Sequence, residues 1–288
     1  MLLLILPAIS AFLYAVSVLF FKKLSGIGPW RLTFLCNSAI AIVFAPLLFW
    51  GKGAIPWNEV YYPIICGAIF FLGQICVFFS IHRGDVSIAT PVLGTKIVLV
   101  TVLASLIFKE DIPSAWWLSA ALATLGVILL GISRPEHRER TLITLLYGSL
   151  AALCYALADV LIPHWVQHWH VAHFIPLMFI SVFLFSFSLI PFFSHPLREI
   201  PKWEWKWIAS ACFLNALQSM LVALSIAITG LAAPVNIVYG SRGLWTIILI
   251  ALCGHWLGIH EAHVSRPIFW SRVIGAIILL SALVFLFV

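Results

Sequence analysis

The chain has 288 residues, of which 63% are hydrophobic and only 9% charged, with a mean hydropathy of +1.12. A soluble domain carries about a quarter charged residues, so this composition excludes a soluble globular protein and predicts a polytopic membrane protein. The net charge of +6 is spread over short segments between apolar stretches, where basic residues set topology; it gives no nucleic-acid partner.

A hydrocarbon core of about 30 Å needs about 20 apolar residues per helix. Ten stretches qualify, at residues 2–22, 31–50, 60–81, 87–108, 115–133, 142–164, 173–193, 205–228, 233–256 and 267–288. The expected fold is an all-α membrane protein with ten transmembrane helices. The first stretch lacks a basic n-region, and Lys22-Lys23 follow it, so it is expected to stay as a helix. Gly26, Gly28 and Pro29 separate the first two helices; Gly51, Gly53 and Pro56 separate the next two. Asp111 and Pro113 close the fourth, and Pro201 precedes the eighth. Loops this short make neighbouring helices antiparallel.

The polar side chains inside these spans are few. Tyr14 lies on the first helix, Asn37 on the second and Gln74 on the third; Asn37 is expected to bond between helices. The fourth helix carries Thr95 and Lys96 near its middle, in Val92-Leu93-Gly94-Thr95-Lys96. A cation at bilayer depth costs about 2.5–3.5 kcal/mol on insertion scales, which marks Lys96 as functional. The run Arg134-Pro135-Glu136-His137-Arg138-Glu139-Arg140 is the longest polar segment and divides the chain nearly in half. It predicts a first unit over 1–133, a hydrated linker over 134–141 and a second unit over 142–288.

Tyr155 and Asp159 follow on the sixth helix, one turn apart, and Asn215 and Gln218 on the eighth. The ninth helix carries Asn236, Tyr239, Arg242, Trp245 and Thr246, with the cation again in a matching motif, Val238-Tyr239-Gly240-Ser241-Arg242. On a straight helix Tyr239, Arg242, Trp245 and Thr246 share a face, with Asn236 at its edge. Arg242 offers a planar fork for phosphate or carboxylate oxygens, and Lys96 a compact charge from the other half. Asp159 is the deep acidic residue, and its pairing with Arg242 is the competing reading to an anion on Arg242; two cations against one carboxylate still leave an excess of positive charge for an anion.

The halves repeat in order. Ala11-Phe12-Leu13-Tyr14-Ala15 parallels Ala152-Leu153-Cys154-Tyr155-Ala156, Gln74 parallels Gln218, Pro91 parallels Pro234, and Gly-Thr-Lys parallels Gly-Ser-Arg. An odd number of helices per half inverts one repeat relative to the other, an arrangement that places a site at the midplane.

With the acidic close of the fourth helix, Phe108-Lys109-Glu110, this pattern resembles the drug/metabolite transporter superfamily in its bacterial EamA-type branch. Lys96 and Arg242 resemble the basic residues by which triose-phosphate translocators hold phosphate on their fourth and ninth helices; nucleotide-sugar transporters are similar in plan. The chain departs from the plant translocators in having one basic residue, not two adjacent, on the ninth helix. The resemblance implies a secondary transporter in the bacterial inner membrane, working by alternating access.

Lys and Arg number about twelve in one set of loops and their flanks and two, Lys52 and Lys109, in the other, which predicts both termini outside the cytoplasm. The tryptophans Trp30, Trp50, Trp57, Trp116, Trp117, Trp165, Trp169, Trp203, Trp256 and Trp270 mark helix ends as an aromatic belt, with Trp245 near mid-span. The six cysteines lie within helices without paired spacing, so neither a disulfide nor a zinc site is expected. Histidines crowd after the sixth helix (His164, His168, His170, His173) and after the ninth (His255, His260, Glu261, His263), and are read as solvated interfacial groups with no metal.

The sequence thus favours exchange of an anionic small metabolite, phosphate-bearing compounds and lipid-linked phosphates included, bound by Lys96, Arg242, Tyr239, Thr95, Thr246, Trp245, Gln74, Gln218, Asn215, Asn236, Tyr14, Tyr155 and Asp159. No cofactor is expected; the partners are the anion and membrane lipid, and the protein is a monomer or homodimer. The alternative is a proton-coupled exporter of amino acids or similar amphiphiles. A membrane enzyme ranks third, because no nucleophile–base spacing is evident.

Overall fold

The computed structural model describes residues 5–22, 24, 27–82, 89, 92–109, 111–131, 138–253 and 266–286. Every regular element among them is helical. The helices are α1 (Ile5–Lys22), α2 (Pro29–Phe44, continued by a 3-10 segment Ala45–Trp50), α3 (Tyr61–His82), α4 (Lys96–Phe108) and α5 (Ser114–Gly131). The second half supplies α6 (Arg138–Val166), α7 (Val171–Ser186, continued by the 3-10 segment Phe187–Phe192), α8 (Trp205–Thr229), α9a (Ala232–Tyr239), α9b (Arg242–Cys253) and α10 (Arg266–Phe285). Among the described residues eight spans are long and apolar enough to cross a membrane, with shorter apolar helices at Ile5–Phe21 and Val92–Phe108, so each of the ten expected stretches carries helix.

Local chemistry sets the ends. Gly28, at φ +79°, turns the chain into Pro29 at the first position of α2. Gly230, at φ +71°, closes α8 and donates its N–H to the Ile226 carbonyl. One boundary differs from expectation: α6 begins at Arg138, so the last part of the polar run is helix rather than linker. Arg and Glu are good helix formers, and they extend the helix of the apolar segment by a turn.

Exchanging the two halves maps the main packing contacts onto one another. The α1–α8 contact corresponds to α6–α3, α2–α8 to α7–α3, and α4–α6 to α9a and α9b against α1; α2–α7 and α5–α10 each map onto themselves. Equivalent helices run in opposite directions. Leu129, near the end of α5, accepts a bond at 2.8 Å from the hydroxyl of Ser271, near the start of α10. Between them Gly126 and Gly275 face each other: a Cβ on either would lie 2.9 Å from the carbonyl oxygen of the other. Only a missing side chain allows two backbones this close, the small-residue packing by which membrane helices associate.

The largest buried cluster draws on α1–α4 and α6–α9a and includes Phe44, Phe174, Ile175, Met178 and Phe179. Phe179 packs on Phe44 at 4.5 Å and edge-on to Phe70 at 5.5 Å between ring centroids. This plug closes the bundle at the end where α2 finishes and α7 begins.

Candidate functional site

The two cation motifs build the same local structure. Before Lys96, the Thr95 N–H bonds back three residues to the Val92 carbonyl at 3.1 Å, and the Thr95 hydroxyl donates to the same carbonyl at 2.7 Å. Before Arg242, the Ser241 N–H and hydroxyl do the same to the Val238 carbonyl, at 3.1 and 2.8 Å. Each helix is therefore tightened for one turn and restarts at its cation: α4 begins at Lys96 and α9b at Arg242. The preceding glycines allow close packing. A Cβ on Gly94 would meet Val127 of α5 at 2.6 Å, and one on Gly240 would meet Ile97 of α4 at 2.9 Å.

Both cations line one cavity of about 270 Å³ between the halves. Tyr14, Gln74, Tyr155, Asp159, Asn215, Gln218 and Tyr239 share its wall with Lys96 and Arg242. Nine of the residues singled out from sequence thus converge, drawn from seven helical segments. Asp159 is 6% exposed and makes an ion pair with Lys96 at 2.7 Å, while the Asn236 amide donates to the same carboxylate oxygen at 2.7 Å. The ion pair is thus with Lys96 and not the competing one with Arg242: α6 packs against α4, which brings Lys96 to the carboxylate.

Arg242 instead lies over aromatic faces. Its guanidinium carbon is 4.3 Å from the Tyr239 ring centroid and 5.1 Å from that of Tyr14. Cation–π contact of this kind holds a guanidinium without neutralising its charge. The Tyr239 hydroxyl donates to Gln218 Oε1 at 2.8 Å, which fixes the ring beneath Arg242. Gln218 Nε2 in turn donates to the Asn215 carbonyl at 3.0 Å and the Ser219 hydroxyl at 2.8 Å. Gln74 pairs reciprocally with Asn37, both amide bonds at 2.9 Å, so Asn37 does bond between helices and Gln74 presents its cavity edge with its amide engaged.

Four residues read as ligands lie outside the cavity wall. Thr95 spends its hydroxyl on Val92, and Thr246 spends its own on the Arg242 carbonyl at 2.8 Å. Asn236 is 2% exposed and supports Asp159 from behind. Trp245 is 37% exposed on the outer surface and packs edge-on against Phe12 at 5.5 Å. The cause is the tightened turn at Gly240-Ser241, which rotates α9b relative to α9a and breaks the straight-helix face.

A second space of about 350 Å³ adjoins the cavity and shares Tyr14, Gln74, Val77, Tyr155 and Asn215 with it. Val18, Phe21, Leu32, Phe78 and Cys36 make it largely apolar, and it leads to the end where α1 finishes and α2 begins. Sequence reasoning missed this vestibule, since its residues look like any lipid-facing stripe. It also missed that Cys36 and Cys212 meet, with their sulfurs 3.4 Å apart as free thiols.

In the first histidine group His170 caps α7 by accepting from the Ala172 N–H at 3.2 Å and its ring lies 5.7 Å from that of buried His173, while His164 packs on Phe108. Trp169 is buried rather than part of the belt. Pro91, Glu110 and the second group, His255, His260, Glu261 and His263, lie outside the described residues.

Among the described residues, apolar helices pack around a polar cavity, an arrangement that suits a membrane carrier. Residues 1–132 match the model of the EamA-like transporter family. The match covers a little under half of the chain, and it agrees with the resemblance drawn from the sequence. Curated relatives include the probable 4-amino-4-deoxy-L-arabinose-phosphoundecaprenol flippase subunit ArnE of Pseudomonas savastanoi pv. phaseolicola, 40% identical over 60 residues (21% of this chain, 53% of the relative). The protein of the same name in Pseudomonas syringae pv. syringae is 41% identical over 51 residues (18% and 47%). The chain spans about half the length of these relatives. A known crystal structure superimposes with a TM-score of 0.71 over 97% of this chain and 94% of its own, at 13% identity, a likeness of fold.

Proposed function

We propose that the protein carries an amphiphile with an anionic, phosphate-type head group across the bacterial inner membrane by alternating access. The observation that supports this most is Arg242, a half-buried cation held over two tyrosine rings on the wall of the polar cavity. An uncompensated charge there is costly, and an anionic head group offsets that cost. The half-helix of α9b starts at Arg242, so its positive end adds to the attraction.

The apolar vestibule favours a tailed substrate over a small soluble metabolite. A head group fits the polar cavity of about 270 Å³ while a hydrocarbon tail lies along Val18, Phe21, Leu32 and Phe78. The names of the curated relatives, which include a phosphate-linked lipid, agree with this chemistry. With the basic loops in the cytoplasm, the vestibule opens inward, the aromatic plug at Phe44, Phe70 and Phe179 closes the outer end, and both termini are extracytoplasmic. The two five-helix units, 1–133 and 142–288, are the bodies that rock about the site. The empty carrier, with its cavity charge unmatched, crosses poorly, which favours exchange of one anion for another.

The test is translocation in liposomes. Fluorescently tagged farnesyl phosphate is bleached by an impermeant reductant only in the outer leaflet. Protein-dependent loss of the protected pool is expected for the phosphate and not for tagged farnesol. Equal movement of the alcohol overturns the anion reading, and movement of glycerol phosphate in place of the farnesyl compound assigns the site to small soluble anions.

A further inference from the structure

The charge ledger of the cavity names the kind of anion more narrowly, and it rests on the anion-binding reading above. Lys96 and Arg242 contribute two positive charges, and Asp159, paired to Lys96 at 2.7 Å, removes one. Among the described residues, the charged side chains on the cavity wall are these three. The neighbours of Asp159 on other elements are Lys96 of α4, Asn236 and Tyr239 of α9a, Arg242 of α9b and Cys66 of α3; Tyr155 stands one turn away on its own helix. Of these groups only the two cations carry charge at neutral pH.

We infer that Asp159 is the specificity-determining residue that sets the cargo's charge at one: the site selects a monoanionic head group, as in a phosphodiester, over a dianionic phosphate monoester. A monoanion beside Arg242 brings the buried site to neutrality. A dianion leaves an uncompensated negative charge close to the Asp159 carboxylate, in surroundings where like charges repel strongly. Asp159 is well held for this role. Asn236 and Lys96 donate to it from two helices, so it stays in place as a fixed negative charge instead of turning toward solvent.

The Lys96 charge is thus spent inside the protein, and Arg242 is the cation left for cargo. This also accounts for one basic residue sufficing on α9b. A sugar phosphate joined to a lipid through a diester bridge carries one negative charge on that bridge, so the class fits the vestibule and the ledger together.

The experiment compares farnesyl phosphate with farnesyl methyl phosphate at pH 8, where the monoester is a dianion because its second pKa is about 6. Both share one tail, so their affinity ratio isolates head-group charge. Wild-type protein is expected to favour the diester by about tenfold or more. Asp159→Asn raises the site's charge by one and is expected to reverse that preference; Asp159→Glu retains it. Lys96→Gln/Asp159→Asn restores the original net charge and with it the preference for the diester. This double variant guards against a fold defect in the single one.

If both compounds bind wild-type protein and the ratio is unchanged in Asp159→Asn, the inference is overturned while the anion site stands. If Arg242→Gln binds both as wild type does, the underlying reading fails instead. A ratio that shifts in Asp159→Asn but does not return in the double variant also overturns the ledger, because charge alone no longer explains it.

Discussion

Replacing Lys96 by Gln strips Asp159 of its ion-pair partner and leaves it with the Asn236 amide alone. Breaking a buried ion pair by removing one partner costs about 3–5 kcal/mol, because the remaining charge is left in low dielectric. An average side-chain hydrogen bond between membrane helices contributes about 0.6 kcal/mol. The Lys96 and Asp159 side chains are 14% and 9% exposed to the cavity, so some solvent screening reduces the larger figure. A coupling energy of about 2–3 kcal/mol is the result. The assay is a double-mutant cycle of Lys96→Gln, Asp159→Asn and the pair, read by reversible unfolding in mixed micelles. The double variant should be more stable than Lys96→Gln alone, since it carries no orphaned carboxylate. A coupling at or below about 0.6 kcal/mol would refute the ion pair as an inter-helix link of this strength.

The remaining predictions concern the frame around that pair. Gly126→Ala and Gly275→Ala should each lower stability by about 1–3 kcal/mol in thermal unfolding, because the new Cβ meets a backbone oxygen at 2.9 Å and neither α5 nor α10 has a flexible atom there to yield. Equal losses are expected from the two, and a neutral result at either would refute the reciprocal packing. Thr95→Val and Ser241→Ala each remove a hydroxyl bonded to the carbonyl three residues back, and each should cost about 1 kcal/mol in the same measurement, additively. A larger loss of substrate binding than of stability would return the two hydroxyls to the list of ligands. Cys36 lines the vestibule, so its labelling by a maleimide should slow when farnesyl phosphate is bound; an unchanged rate would remove the vestibule from the substrate's path.

Much of the site was readable because it violates membrane chemistry. Lys96, Arg242 and Asp159 are expensive at bilayer depth, and residues that costly are held where they serve a purpose. The repeated Gly-Thr-Lys and Gly-Ser-Arg triplets located them in equivalent helices, and the cavity brings Gln218, Tyr14 and Tyr155 to the same wall. The partner of Asp159 was left open because helix adjacency is a tertiary fact, and nothing in the spacing of residues 96, 159 and 242 ranks α4 above α9b as its neighbour. Trp245 and Thr246 were misplaced for a different reason. Their face was drawn on a straight helix, and the tightened turn at Gly240-Ser241 redirects everything after it.

The ends of the helices were legible from Gly, Pro and charge, with the exception of α6, where good helix formers carry the helix into the polar run. The vestibule was not legible at all. Val18, Phe21, Leu32 and Phe78 have the same apolar character as residues facing lipid, and only packing separates the two. The Gly126–Gly275 contact lay in plain view as Gly-Val-Ile-Leu-Leu against Gly-Ala-Ile-Ile-Leu, a repeat that extends the correspondence between the halves into their last helices.

The central claim is that Arg242 is the cavity charge that holds the cargo. Its most direct test is the dissociation constant of farnesyl phosphate for wild-type protein and for Arg242→Gln, measured by calorimetry in nanodiscs. A hydrogen-bonded charge contributes about 1.5–3 kcal/mol, so Arg242→Gln should weaken binding by about 10–150-fold, with Arg242→Lys in between. Unchanged affinity in a folded Arg242→Gln protein would contradict the account.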